Sequence, residues 1–139
     1  MKRFVLSLSL LVALTAPLRA EDDTLFADMG GKAGIDRMVD EVEKIYLADP
    51  RIKDIFGESN LERLNAKLKE DFCMVAGGPC AYTGHSMEAA HKGLHLTNAN
   101  FNALVEDLQS AMDSCNIPFA TQNRFLARLA PMQHQVVTR

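Results

Sequence analysis

Four histidines, three cysteines and two tyrosines are spread through this 139-residue chain, and His91 is the one whose surroundings suggest chemistry. Met87 lies four residues before it and Leu94 three after it, so on a helix the three share one apolar face. A neutral imidazole among apolar neighbours can bind iron through one ring nitrogen while a hydrogen bond holds the other. Haem needs such an axial ligand in a water-poor pocket. Spacing alone does not single out that reading, since a histidine on an apolar face is commonly a satisfied core residue. His95 adds a second possibility. His91 and His95 are four apart, a spacing that holds zinc or copper on a helix, and His85 could supply a third ligand. Gly93 between them weakens that helix, and no acidic or cysteine ligand is obviously placed to join them.

Helices must position these residues. Ile35, Met38, Val39, Val42, Ile45 and Tyr46 recur at helical spacing, and Pro50 stops that helix. A short turn with Ile52, Ile55 and Phe56 follows and ends at Gly57. Ser59 and Glu62 read as a capping box, starting a helix near Asn60 whose apolar face is Leu61, Leu64, Leu68, Phe72 and Val75. Gly77-Gly78-Pro79 closes it. A brief helix is expected to carry Met87, Ala90, His91 and Leu94. Thr97 can cap the next, with Phe101, Leu104, Val105, Leu108 and Met112 inward. The last bears Phe125, Leu126, Leu129 and Met132, bent at Pro131. The expectation is one all-α domain with short loops. No Ser-His-Asp set, phosphate-binding glycine loop or Cys-x-x-Cys motif is present in the sequence.

The first twenty residues stand apart. A positive start, a short apolar run from Phe4 to Ala16, and Ala20 before Glu21-Asp22-Asp23 read as a secretory leader, with the domain over 21–139. The apolar run is short of the about 20 residues a membrane span needs. Export to the periplasm is therefore expected, with no stable membrane insertion once the leader is removed. Cleavage after Ala20 takes away Lys2, Arg3 and Arg19 and no acid, leaving 12 basic residues against 18 acidic ones. That balance argues against a nucleic-acid partner and against an anionic membrane surface. An oxidising compartment permits a disulfide. Cys73 and Cys80 flank the Gly77-Gly78-Pro79 turn and could bridge, with Cys115 left over; three small buried apolar cysteines are the other open reading.

The order of the motifs resembles the group 1 truncated haemoglobins over nearly all of residues 24–137. Leu25-Phe26-Ala27-Asp28-Met29-Gly30-Gly31 is similar to that family's opening, and Leu47-Ala48-Asp49-Pro50-Arg51-Ile52 with Phe56 to its next signature. Gly77-Gly78-Pro79 and Tyr82-Thr83-Gly84 resemble its glycine-rich loop. Met87 through Leu94, with Thr97 and Phe101, resembles its proximal histidine segment, and Ile117-Pro118 with the last helix its tail. The resemblance implies a truncated globin fold, a two-over-two helical sandwich around haem b. It implies His91 as the proximal iron ligand and Phe56 packed on the porphyrin. Phe72, Met87, Leu94 and Phe101 would line the pocket, and His85 would stand near a haem propionate. It also implies a diatomic gas as partner: oxygen, or nitric oxide or carbon monoxide. Storage, delivery, sensing, or turnover of nitric oxide or peroxide are the roles open to such a site. Turnover would need an electron donor that the sequence does not name.

The departures fall on the distal side. Where the family often has an oxygen-clasping tyrosine, the register gives Glu43, with Tyr46 three residues on. Two positions that often carry polar distal residues are Leu64 and Leu68. Two leucines and no donor would release bound oxygen faster, since polar contacts are what hold it. Lys67 sits where some relatives place a distal iron ligand. An amine binds iron only in its neutral form, so that role requires the proton to be lost on burial; otherwise Lys67 extends to a propionate or to solvent. His134 lies near where a few relatives link haem covalently, with the register one residue off.

Overall fold

The computed structural model describes residues 23–138, so the leader lies outside the described residues. Helix α1 (Leu25–Asp28) leads through Gly30 into α2 (Gly31–Ala48). A 3₁₀ turn (Lys53–Phe56) precedes α3 (Leu61–Val75). Helix α4 (Met87–His91) is followed by α5 (Asn98–Ser114), α6 (Phe119–Leu129), a 3₁₀ turn (Ala130–Met132) and α7 (Gln133–Val136). No strand occurs among the described residues. Helices α2 and α3 pack on each other and lie across α5 and α6, giving the two-over-two sandwich. None of these helices is long and apolar enough to cross a membrane.

The local chemistry explains the boundaries. Met29, Ile35, Met38, Val39 and Val42 are fully buried, so α1 and α2 enter the core at their junction. The chain turns there so tightly that a Cβ on Gly34 would lie 2.0 Å from the Met29 carbonyl oxygen. Helix α3 starts as expected, on a different cap. The Asn60 side chain accepts the Arg63 N–H at 2.9 Å, while Ser59 faces the interior cleft. The cap belongs to the residue with extended backbone next to the helix, and that residue is Asn60. Thr97 does cap α5: its hydroxyl accepts from the Asn100 N–H, and the Asn100 side chain accepts from the Thr97 N–H. Pro131 falls in the 3₁₀ turn where the last helix breaks. The short α1 carries no periodicity of its own and was not legible from pattern.

Three ties matter for the site. Cys73 and Cys80 form a disulfide that fastens the post-α3 loop to that helix, and Cys115 is free and half-buried. Phe72 of α3 meets Phe125 of α6 edge-on at 5.2 Å, joining the two layers. At the chain end, the Thr138 N–H donates to the Leu96 carbonyl at 3.0 Å, and the Leu96 N–H donates to the Thr138 hydroxyl at 3.1 Å.

Candidate functional site

Between α3 on one side and α4, α5 and the C-terminal turn on the other lies an apolar cleft of about 260 Å³. Its walls bring together nine of the ten residues that sequence proposed: Phe56, Leu64, Lys67, Leu68, Phe72, Met87, His91, Leu94 and Phe101. His85 is the exception. It is exposed and stands outside the lining, and its backbone carbonyl accepts the Tyr82 hydroxyl at 2.7 Å. Helix α5 contributes Leu104 and Val105, which face inward yet stay half-buried because they border this cleft.

His91 ends α4, a helix of five residues started by the Ser86 hydroxyl, which accepts the Ala89 N–H. Its ring Nδ1 lies 2.6 Å from the Met87 carbonyl oxygen. A carbonyl only accepts, so Nδ1 donates to it, and Nε2 is the ring nitrogen left to meet a metal. The helix stops there. Gly93 has φ +80° and His95 φ +52°, so Leu94 and His95 lie beyond it, contrary to the expectation that Leu94 shares the helix. The left-handed turn ends any helical i, i+4 relation between His91 and His95, and His95 is exposed. Among the described residues no three His, Cys, Asp or Glu groups cluster as a metal site. The zinc or copper reading through His85, His91 and His95 therefore finds no geometry here.

Lys67 borders the cleft with its ammonium engaged. Nζ lies 2.8 and 2.9 Å from the two Glu70 carboxylate oxygens and also bonds the Thr83 hydroxyl. Glu70 in turn accepts the Thr83 N–H at 2.9 Å and its hydroxyl at 2.8 Å. Lys67, and then the two Thr83 donors, lower the Glu70 carboxyl from its ordinary value of 4.5 to about 2. Glu43 lies outside the cleft lining and accepts from Asn65 Nδ2 at 2.6 Å. His134 is exposed on α7, while Met132 and Val136 line the cleft on either side of it.

Two buried polar residues of the cleft escaped the sequence reading of the site. Tyr46, read there as core, is fully buried, stacks on Phe56 at 4.1 Å between ring centroids, and lines the cleft. Its hydroxyl has no hydrogen-bond partner among the described residues, and burial pushes the phenol further toward its protonated form. A buried donor without an acceptor points to something that occupies the space beside it. The distal wall thus has a donor after all. Asp71 also lines the cleft and is 5% exposed. It falls one turn from Lys67 and Leu68 and two from Leu64 on the α3 face, at a position where periodicity would place an apolar side chain.

The residues fit a large, flat, apolar metal-bearing group: a pre-oriented imidazole, apolar walls and one unpartnered donor. Comparison with known proteins agrees. Residues 24–138 match the family model described as bacterial-like globin. The chain is 39% identical over 95 residues to the group 1 truncated haemoglobin of Tetrahymena thermophila, covering 68% of this chain and 78% of that protein. It is 28% identical over 120 residues to the group 1 truncated haemoglobin of Mycolicibacterium paratuberculosis, covering 86% and 88%. The crystal structure of truncated haemoglobin from Tetrahymena pyriformis in its Fe(III) form superposes with a TM-score of 0.80 at 25% identity, covering 83% of this chain and 98% of that one. The cyanomet form of the Synechococcus protein, with covalently attached haem, gives 0.76 at 26% identity over the same shares.

The Glu70 clasp has a testable pH signature. A carboxyl held below its unfolded value stabilises the fold above that value, and the contribution is lost as pH falls from about 4.5 through about 2. Thermal melts of the wild type and Glu70→Gln should therefore differ most at neutral pH and converge across that window. Curves that stay parallel down to the acid limit would show that Glu70 is not clasped in solution.

Proposed function

The chain belongs to the bacterial-like globin family, whose group 1 truncated haemoglobins bind haem b, and from there we propose that it holds haem through His91 and reversibly binds a diatomic gas, oxygen foremost. The observation that carries this reading is the His91 ring, oriented by the Met87 carbonyl, with its second nitrogen engaged by no protein group among the described residues, in an apolar cleft. Haem b supplies there an iron with one position open to a small ligand. Phe56, Phe72, Met87, Leu94 and Phe101 exclude water and hold the ring by apolar contact. The Tyr46 hydroxyl is a buried free donor available to a ligand. Lys67, already bound to Glu70 and Thr83, has to leave that clasp to act as a ligand, which favours the role of a charged group at the cleft edge. Sustained turnover of nitric oxide or peroxide requires an electron donor besides, and no observation favours it over reversible binding.

The first test is the visible spectrum of the purified protein, ferric, reduced, and reduced under carbon monoxide. The wild type should show a Soret band that shifts at each step. His91→Ala should lose most of its haem, and Lys67→Ala should leave the ferric spectrum unchanged. A wild type that stays colourless after haem is added overturns the reading. A ferric spectrum altered in Lys67→Ala would make Lys67 a distal ligand.

Tyr46→Phe removes a buried donor that no protein group among the described residues engages, with little change of shape. A single hydrogen bond is worth about 1 kcal/mol, so oxygen should dissociate roughly five- to tenfold faster from the variant in stopped-flow displacement by carbon monoxide. An unchanged rate would take Tyr46 out of ligand binding.

Export of the protein to the periplasm, with cleavage after Ala20, is supported by the charged start, short apolar run and small residue before Glu21. The mass of the protein recovered from the periplasm should correspond to a chain starting at Glu21. A full-length mass in the membrane fraction would make the segment an anchor.

A further inference from the structure

Asp71 is a buried acid that the haem reading does not use. It lies on the cleft face of α3, its side chain is part of the cleft wall, and only 5% of the residue reaches solvent. Burial raises its ionisation above the ordinary carboxyl range, and no hydrogen bond or cation among the described residues offsets that.

The groups around it do not supply compensation. On α3, the charges of Lys67 and Glu70 are spent on each other and on Thr83. From the following loop, the Tyr82 hydroxyl is committed to the His85 carbonyl. From α2, Tyr46 brings a neutral phenol, and from α4, the Nδ1–H of His91 is committed to Met87. Asn100 of α5 is uncharged and caps its own helix. An ionised Asp71 would thus be an unpaired charge in an apolar space, which is costly, whereas the neutral acid is a hydrogen-bond donor.

We propose that Asp71 is a proton-holding positioning residue of this cleft, through which the site takes anionic ligands of the ferric iron, conjugate bases of weak acids such as azide, fluoride or nitrite, together with one proton. The proposal rests on the haem reading above and assigns to Asp71 the proton taken up with such ligands. Two negative charges in one apolar cleft repel strongly. An anion therefore binds when Asp71 is protonated and is lost when that proton leaves. The sign follows from linkage. Anion affinity is level below the carboxyl's ionisation in the free protein, and falls by up to about tenfold per pH unit above it, the limit for one coupled proton.

The probe is azide, titrated into the haem-loaded ferric full chain and followed at the Soret band from about pH 5 to pH 8. The wild type should lose azide affinity as pH rises. Asp71→Asn, which keeps a neutral donor at every pH, should hold the low-pH affinity across the range. Asp71→Leu should also be level with pH but weaker throughout, and it serves if the Asn variant does not load haem. In the infrared, the wild type should show the carbonyl band of a protonated carboxyl that is missing from Asp71→Asn. A wild-type affinity independent of pH, or variants that follow the wild-type curve, overturns the proposal and leaves the haem reading standing. Failure of the wild type to take up haem at all overturns both.

Discussion

The working geometry of this protein depends on one hydrogen bond, from the His91 ring to the Met87 carbonyl four residues earlier. It fixes the ring's tautomer and its orientation together. The bond exists only while α4 is a helix, and α4 has five residues. So short a helix is far below the length at which local propensity sustains one. Its neighbours sustain it instead. The Ser86 hydroxyl closes its first turn, α7 packs against it, the His85 carbonyl is held by Tyr82, and the two Thr138–Leu96 bonds fasten the chain end just beyond it. The C-terminal residues are in this sense part of the apparatus that aims an imidazole.

The same neighbours leave a cleft where a core would otherwise close. Phe101, Leu104 and Val105 face inward on α5 and yet stay half-buried, and Leu64 and Leu68 do the same on α3. Apolar surface left in this way is an unfavourable feature that a bound apolar group removes, so cofactor binding and folding stability are coupled. The uncommitted polar atoms of the cleft then gain meaning by contrast. The Tyr46 hydroxyl is buried without a partner among the described residues, so it costs stability unless something in the cleft uses it, and the Asp71 carboxyl borders the same space.

Much of this was legible in the sequence, and the misses have physical causes. Helical periodicity located every long helix, and motif order identified the family and nine cleft residues. Periodicity could not tell core from cleft on one helix, because the two faces of α2 lie side by side; Tyr46 belongs to both and was read only as core. Asp71 was passed over because a charged residue interrupts an apolar stripe and is ordinarily taken as the solvent side. The cap of α3 moved by one residue from Ser59 to Asn60 because capping depends on backbone geometry that two adjacent polar residues can equally supply. The His91–His95 pair failed for a related reason. The spacing is right for a helix, but Gly93 admits a left-handed turn, and the helix ends before the second histidine is reached.

Lys67 and Asp71 border the cleft from one face of α3 with their polar ends differently engaged. Lys67 is held as an ammonium by Glu70 and Thr83, on a loop that the Cys73–Cys80 bridge fastens to the same helix. Exposed ion pairs are individually weak, so the clasp is not a large barrier in itself. What it does is keep the polar end of Lys67 engaged at the cleft edge. Asp71, one turn further along α3, borders the same cleft without such a partner among the described residues. An anion sharing the cleft with Asp71 requires a proton to be kept, whereas a neutral diatomic gas makes no such demand.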